Sequence, residues 1–378
     1  MKIAIIGTVA SSILGFRKEL IAELISNGCT VYTFAVDFTK EQKDEIRLLG
    51  AIAIDYKMSR TGMSPYRDLS NMLQLARSLR RISPDIVFSY FTKPVIYGSM
   101  AARIAGVPRI VGMLEGLGYV FTDIQDNVSI KTKLIRLIII NLFRISFSFT
   151  DKVIFLNNDD PKDLRNTYGL RIKNYDVLGP IGLDLAKYPF SPPCTDQISF
   201  IFVGRLLEEK GIKVFLEASE KVKIKYPYVN FIVLGGFDSN NPGSLNPNEL
   251  DRYIKDNIIT YPGQVNDVSE WLKASSVFVL PSHYREGFPR STQEAMAIGR
   301  PVITTNSPGC RETVENGTNG YLIEPKNPKD LELRMIDFIK NPRSIIEMGV
   351  ESHAIARNRF DSRKINRRLM NLIINKND

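Results

Sequence analysis

At 378 residues, with 44% hydrophobic and 24% charged side chains, the chain is too long for one hydrophobic core and has ordinary globular usage. The net charge of +9 belongs mainly to the first half: residues 1–178 carry 24 Lys and Arg against 17 Asp and Glu, leaving 26 against 24 for the remainder. No aromatic-interleaved basic motif accompanies that charge, which disfavours nucleic acid as a partner. Cys29, Cys194 and Cys310 are too few and too scattered for a disulfide framework and point to a reducing compartment.

The chain opens on an apolar strand at residues 2–7, too short for a secretory segment. The turn that follows begins Gly7-Thr8 and leads into a helical pattern over residues 16–26, so its N–H groups suit a phosphate or an acceptor, or form a plain strand-to-helix turn. It lacks the G-x-G-x-x-G spacing, which disfavours a dinucleotide. Further strands are expected at residues 30–35, 51–55, 86–90, 109–113 and 152–156, with helical patterns between them, a doubly wound α/β arrangement. Lys57, Arg60 and Arg67 surround a Gly-Met-Ser-Pro turn, and Lys93 follows the fourth strand. These cations either bind an acceptor diphosphate or are simply solvated. Glu115 and Gly116 follow the fifth strand in a glycine-rich stretch, and Glu115 either orients or deprotonates an acceptor hydroxyl or caps a turn as a buried structural carboxylate. Residues 130–149 combine Lys131, Lys133, Arg136 and Arg144 with many Ile, Leu and Phe, and on a helix Lys133, Arg136 and Arg144 lie within roughly 80° of one another. That suits an anionic membrane surface or a core helix with a solvated edge; charges interrupt every window long enough to span a bilayer.

Residues 181–195, rich in Pro and Gly, read as a linker between a domain at 1–180 and a second at 196–356. The second half repeats the alternation. A buried strand ends at Gly204-Arg205, and Lys210 follows on the next loop before a helical pattern over residues 214–222. A guanidinium and an ammonium at a strand's carboxyl end suit a diphosphate. The strand at 231–234 runs into Gly235-Gly236, which permit close backbone approach to a ligand. Strands at 259–261, 277–280, 302–304 and 320–323 follow. After the strand at 277–280 comes Glu286-Gly287-Phe288-Pro289-Arg290-Ser291, with Glu294 one turn inside a helix that starts near Arg290 or Ser291. Ser291 offers a capping hydroxyl, the helix N–H groups attract oxyanions, and the two carboxylates suit ribose and hexose hydroxyls, which together read as a nucleotide-sugar site.

Gly204-Arg205, Glu209-Lys210-Gly211, Gly235-Gly236, Pro281-Ser282 and the Glu-x7-Glu of Glu286 and Glu294 resemble the retaining glycosyltransferases of family 4, which have the GT-B fold. Lys93-Pro94, Tyr97-Gly98 and Glu115-Gly116-Leu117-Gly118 resemble the narrower bacterial branch that extends undecaprenyl-diphosphate-linked sugars. The resemblance implies two Rossmann-like domains facing each other across a cleft, the first completed by a last helix at 357–378. It also implies a UDP-sugar donor, a HexNAc such as GalNAc being expected, and a lipid-linked acceptor at the cytoplasmic surface of the inner membrane. Within the donor site it implies that Glu286 binds sugar hydroxyls and Glu294 the ribose; a covalent glycosyl intermediate on Glu286 stays open. Many family members have a histidine near the reacting sugar. This chain has only His283 and His353, which takes support from a histidine-dependent mechanism; the catalytic candidates are Glu115, Arg205, Lys210 and Glu286. No Asp-x-Asp occurs, so fixed cations are expected to replace a metal and no cofactor beyond the nucleotide-sugar is expected. An epimerase or hydrolase acting on UDP-sugars and a non-catalytic binding subunit remain as alternatives.

Overall fold

The structure, a computed structural model, describes residues 1–59, 64–122, 129–238, 241 and 243–375. The chain divides into two compact units: Met1–Ile181 with Ser362–Asp378, and Gly182–Asp361.

The first unit is a parallel sheet of β1 (Lys2–Ile6), β2 (Thr30–Ala35), β3 (Ile52–Asp55), β4 (Ile86–Tyr90), β5 (Arg109–Leu114), β6 (Lys152–Phe155) and β7 (Tyr175–Val177) in the order β3-β2-β1-β4-β5-β6-β7. Central strands β4 and β5 are buried at every residue, as their unbroken apolar runs require when helices cover both faces of a sheet. Strand order reverses at β1, which pairs with β2 on one side and β4 on the other. The crevice outside the carboxyl ends of such a pair is where open α/β sheets bind ligands. The helix Ser362–Ile374 belongs to this unit, and the buried Arg109 side chain caps its carboxyl end, Nε donating to Ile373 O at 2.6 Å and Nη2 to the carbonyls of Leu372 and Asn375.

The second unit has the same plan: β8 (Ser199–Val203), β9 (Asn230–Leu234), β10 (Thr260–Gly263), β11 (Val277–Leu280), β12 (Val302–Thr305) and β13 (Gly320–Ile323), in the order β10-β9-β8-β11-β12-β13 and all parallel. Its reversal falls at β8, between β9 and β11. The segment at 181–195 is seated in this unit from Gly182 onward. Arg300, fully buried, donates to Ser191 O, Ser191 N donates to Ile298 O at 3.0 Å, and the Phe190 ring packs 4.9 Å from that of His353.

Four elements differ from the sequence reading. The helical pattern at 16–26 is broken at Arg17 into Ala10–Phe16 and Lys18–Ser26. The three-residue strand β7 was not expected, its half-buried residues being too few to set a period. The stretch expected as one last helix is two, Pro342–Arg359 and Ser362–Ile374, separated by Phe360 and Asp361. Ser291 is not the cap of its helix: Arg290–Ile298 starts after Pro289, with no side-chain cap. Among the described residues, no helix is long and apolar enough to cross a membrane.

Candidate functional site

In the second unit the loops after β8 and β11 are bound together at the point of strand reversal. Gly235 sits at φ +145°, and a Cβ there would lie 1.8 Å from Gly204 O, so only glycine lets the two strand ends close up. Gly236 is less constrained, a Cβ there falling 3.0 Å from the end of the Gln264 side chain. Gly211, at φ +81°, presses on the carbonyl of Pro281 at the end of β11, 2.0 Å from where its Cβ would be. Glu209 O accepts the amides of His283 at 3.0 Å and Tyr284 at 2.9 Å, which staples one loop to the other.

That stapling brings together two of the sequence-predicted residues. Lys210 Nζ lies 2.5 Å from Glu286 Oε1 and 5.3 Å from the centre of the Tyr284 ring. Ser282 Oγ, 3.0 Å from the same carboxylate oxygen, is the third member. The turn through Gly309 closes over them, a Cβ there falling 2.5 Å from Glu286 O and 2.7 Å from Gly287 O. Burial, with the charge of Glu286 beside it, pushes the Cys310 thiol up to about 11, so this neighbour stays protonated.

The other donor-site candidates stand apart from that cluster. Arg205 is exposed and pairs with Asp238 at 2.9 Å. Phe288 is buried edge-on against Phe360, their centres 5.7 Å apart. Pro289 O accepts Gln293 N at 3.3 Å, and Ser291 is half-buried in the first helical turn. Arg290 Nε lies 2.9 Å from Glu294 Oε1, and the Tyr188 hydroxyl, missed in the sequence, lies 3.0 Å from the same oxygen. Burial and that carboxylate push the Tyr188 phenol up to about 12, so it stays protonated and donates. The two carboxylates thus have separate partners, Lys210 and Ser282 for Glu286, Arg290 and Tyr188 for Glu294.

In the first unit the corresponding strand ends carry a second cluster. Glu115 follows β5, Gly116 after it turns at φ +92°, and the Glu115 carboxylate is bound by Arg17; their side chains are 8% and 1% exposed. The Arg17 guanidinium lies 4.5 Å above the Tyr90 ring at the end of β4, and the Tyr90 hydroxyl is 2.9 Å from Ser12 Oγ. Gly7 is where it is because a Cβ would meet the Tyr90 hydroxyl at 2.3 Å. Burial raises the Glu115 pKa, and Arg17 opposes that rise by charge and hydrogen bond.

The turn after β1 is less open than the sequence implied. Gly7 N donates to Phe34 O, Ala10 N to Asp37 Oδ1 and Ser12 N to Val9 O, while Thr8 O accepts Val36 N, so these amides are already engaged. Lys93 is not a solvated cation: Nζ lies 2.6 Å from Ser59 Oγ and 3.6 Å from the buried Asp68, and burial lowers its pKa. A cavity of about 510 Å³ adjoins it, lined by Tyr56, Lys57, Ser59, Arg67 and Asn71 among others. Arg60, with Gly62 and Met63, lies outside the described residues. Arg17, Tyr90, Asp68 and Tyr188 escaped the sequence reading because none stands in a glycine-marked motif; Ser282 was marked only as part of Pro281-Ser282, without its contact to Glu286. Among the described residues, no three His, Cys, Asp or Glu side chains form a group suited to a metal ion.

The chain is similar to known proteins in sequence and in fold. Residues 188–359 match the family described as glycosyl transferases group 1, and residues 2–157 match glycosyl transferase 4-like. The chain is 30% identical over 345 residues to the N,N'-diacetylbacillosaminyl-diphospho-undecaprenol alpha-1,3-N-acetylgalactosaminyltransferase of Campylobacter jejuni, covering 88% of this chain and 87% of that enzyme. It is 30% identical over 277 residues to the UDP-Gal:alpha-D-GlcNAc-diphosphoundecaprenol alpha-1,3-galactosyltransferase of Escherichia coli, covering 69% of this chain and 68% of that one. Among solved structures, HepE of Anabaena in complex with UDP superposes with a TM-score of 0.76 at 19% identity, and sucrose-phosphate synthase of Thermosynechococcus elongatus with 0.79 at 16%, each over 98% of both chains. The family suggested by the glycine, lysine and glutamate motifs is thus the family found: the chain belongs to the group 1 glycosyl transferases, with the GT-B fold.

Proposed function

We propose that the protein is a retaining, metal-independent glycosyltransferase that moves a HexNAc such as GalNAc from a UDP-sugar to an undecaprenyl-diphosphate-linked saccharide during bacterial surface-glycan synthesis. The observation that carries this reading is the Lys210–Glu286 pair at the strand reversal of the second unit, in a chain whose relative in Campylobacter jejuni is named for that transfer. As the bond from the anomeric carbon to the β-phosphate breaks, negative charge grows on the departing UDP. Lys210 is held at the carboxyl ends of β8 and β11, where it meets that charge as a fixed cation, and Arg205 adds a second from the rim. Ion pairing with Glu286 and Asp238 fixes both cations before the donor arrives. Glu286 then offers its carboxylate to sugar hydroxyls, and Glu294, steadied by Arg290 and Tyr188, to the ribose. Glu115 takes the proton of the acceptor hydroxyl. Attack from the face that the phosphate leaves retains the anomeric configuration.

The acceptor's lipid calls for a membrane surface, and the helix Ile130–Phe149 supports one. It buries Ile140, Phe143 and Phe147 but exposes Leu134, Leu137, Ile138 and Ile145, with Lys133 and Arg144 also exposed. Apolar side chains flanked by cations fit the anionic inner surface of a bacterial membrane, which makes the enzyme peripheral and cytoplasmic in this reading.

The test is transfer itself. Purified protein with labelled UDP-GalNAc or UDP-GlcNAc and an undecaprenyl-diphosphate-linked saccharide yields labelled lipid. Free labelled sugar alone would mean a hydrolase, an isomerised nucleotide-sugar an epimerase, and unchanged donor a binding subunit.

A further inference from the structure

We propose that Arg17 is a positioning residue for the transfer reaction: it holds the Glu115 carboxylate ionised and fixed in direction, so that the carboxylate accepts the acceptor's proton. The proposal rests on the role of Glu115 given above. The backbone at Arg17 leaves helical geometry, at φ −121° and ψ −1°, and this is the break between the helices Ala10–Phe16 and Lys18–Ser26. Arg17 N still closes the first helix on Ile13 O at 2.9 Å, and Arg17 O opens the second by accepting Ile21 N at 2.8 Å, so the break costs few backbone bonds. Its consequence is a long cation turned inward, 1% exposed, onto the ends of β4 and β5.

Both terminal nitrogens of the guanidinium are engaged. Nη2 donates to Glu115 Oε1 and Nη1 to Phe16 O at 3.0 Å, and Cζ lies over the Tyr90 ring, whose hydroxyl is 2.9 Å from Ser12 Oγ. Nε, buried without a hydrogen-bond partner, shows that the side chain is placed by the carboxylate and the ring at some expense elsewhere. A buried ion pair is a poor stabiliser, since desolvation offsets most of its attraction, and well-packed apolar side chains often do better. Its place at the strand reversal of the first unit, where ligands bind, gives it a chemical reason instead. Among the described residues, the titratable groups facing Glu115 are Arg17 from the helix junction and Tyr90 from β4, and burial keeps that phenol protonated and neutral. Arg17 is, among the described residues, the charge that opposes the rise burial gives the Glu115 pKa. A protonated Glu115 accepts no proton.

The experiment compares wild type, Arg17→Gln, Arg17→Lys and Glu115→Gln in the full chain, following kcat and KM against pH and titrating the Glu115 carboxyl by carbon-13 NMR. With Arg17→Gln the acidic limb of kcat/KM and the carboxyl titration both move up by about one to three pH units, the effect of losing an adjacent opposite charge, while KM for the donor holds. Arg17→Lys keeps the charge without the fork, so the limb stays and kcat drops about 100-fold, the usual result of an ångström of misplacement. If Glu115→Gln is inactive yet neither Arg17 variant moves the limb or kcat, Arg17 is structural and the proposal is overturned while the role of Glu115 stands. If Glu115→Gln turns over normally, the role of Glu115 falls and the proposal with it. Should Arg17→Gln not fold, Arg17→Lys decides by its kcat alone, and wild-type turnover there overturns the proposal.

Discussion

Lys210 and Glu286 are 76 positions apart, yet 2.5 Å separates Nζ from Oε1, and that contact joins the loop after β8 to the loop after β11. The cation proposed to receive the departing pyrophosphate is thus aimed by the carboxylate proposed to hold the sugar. Lys210→Ala should lower kcat by about 10² to 10³, the loss seen when one transition-state donor is removed. It also leaves Glu286 buried without its cation, so melting temperature falls as well. Lys210→Met with Glu286→Gln, which removes both charges, should recover the melting temperature but not the turnover. Near-normal turnover in Lys210→Ala would remove the lysine from the chemistry.

Glu294 is expected to act on binding more than on chemistry. Tyr188→Phe deletes one hydrogen bond to its carboxylate, worth roughly 1.5 to 3 kcal/mol when an acceptor is charged, and should raise KM for the donor at least tenfold with kcat little changed. Glu294→Ala should raise it further. Steady-state kinetics in donor concentration separates the two constants, and an effect confined to kcat would count against a ribose contact.

How far the sequence carried depends on where the signal was local. The strands at 30–35, 86–90, 277–280 and 320–323 end where expected because each is a short apolar run that stands out from its flanks, and the helix at 130–149 because its apolar pattern runs unbroken over that length. The pairing of Lys210 with Glu286 was only implicit, since two loops 76 residues apart meet through strand order, which periodicity does not encode. Arg17 was hidden by the same rule that found the helices: a charged residue inside a helical pattern reads as its solvated face, and here it is 1% exposed. Tyr188 sits in a segment with no period at all, and Gly7 could be read as a turn but not as the seat of the Tyr90 hydroxyl.

The exposed apolar face of the helix Ile130–Phe149 should govern membrane affinity. Leu137→Glu with Ile138→Glu puts two carboxylates among side chains 55% and 40% exposed in wild type, so folding should be little affected. Co-sedimentation with vesicles containing phosphatidylglycerol should fall in the variant and, for wild type, weaken as salt rises. Equal binding by both proteins would place the membrane contact elsewhere.

His283 predicts a stability change in acid. Burial first, then the Lys326 charge, lowers its pKa to about 4 from an ordinary 6.5. Between those values the unfolded chain binds the proton and the folded chain does not, so acidification favours unfolding there. His283→Gln should therefore flatten the fall in melting temperature between about pH 6.5 and pH 4 relative to wild type, and parallel curves for the two proteins would show that this histidine titrates alike in both states.

The central claim is that fixed side-chain cations, Lys210 foremost, do the work of a divalent ion at the departing diphosphate. Transfer of labelled sugar from UDP-GalNAc to the lipid-linked acceptor, measured after dialysis against EDTA with the chelator kept in the assay, tests it most directly. The account predicts an unchanged rate and an α-linked product; loss of transfer in chelator with recovery on adding manganese would contradict it.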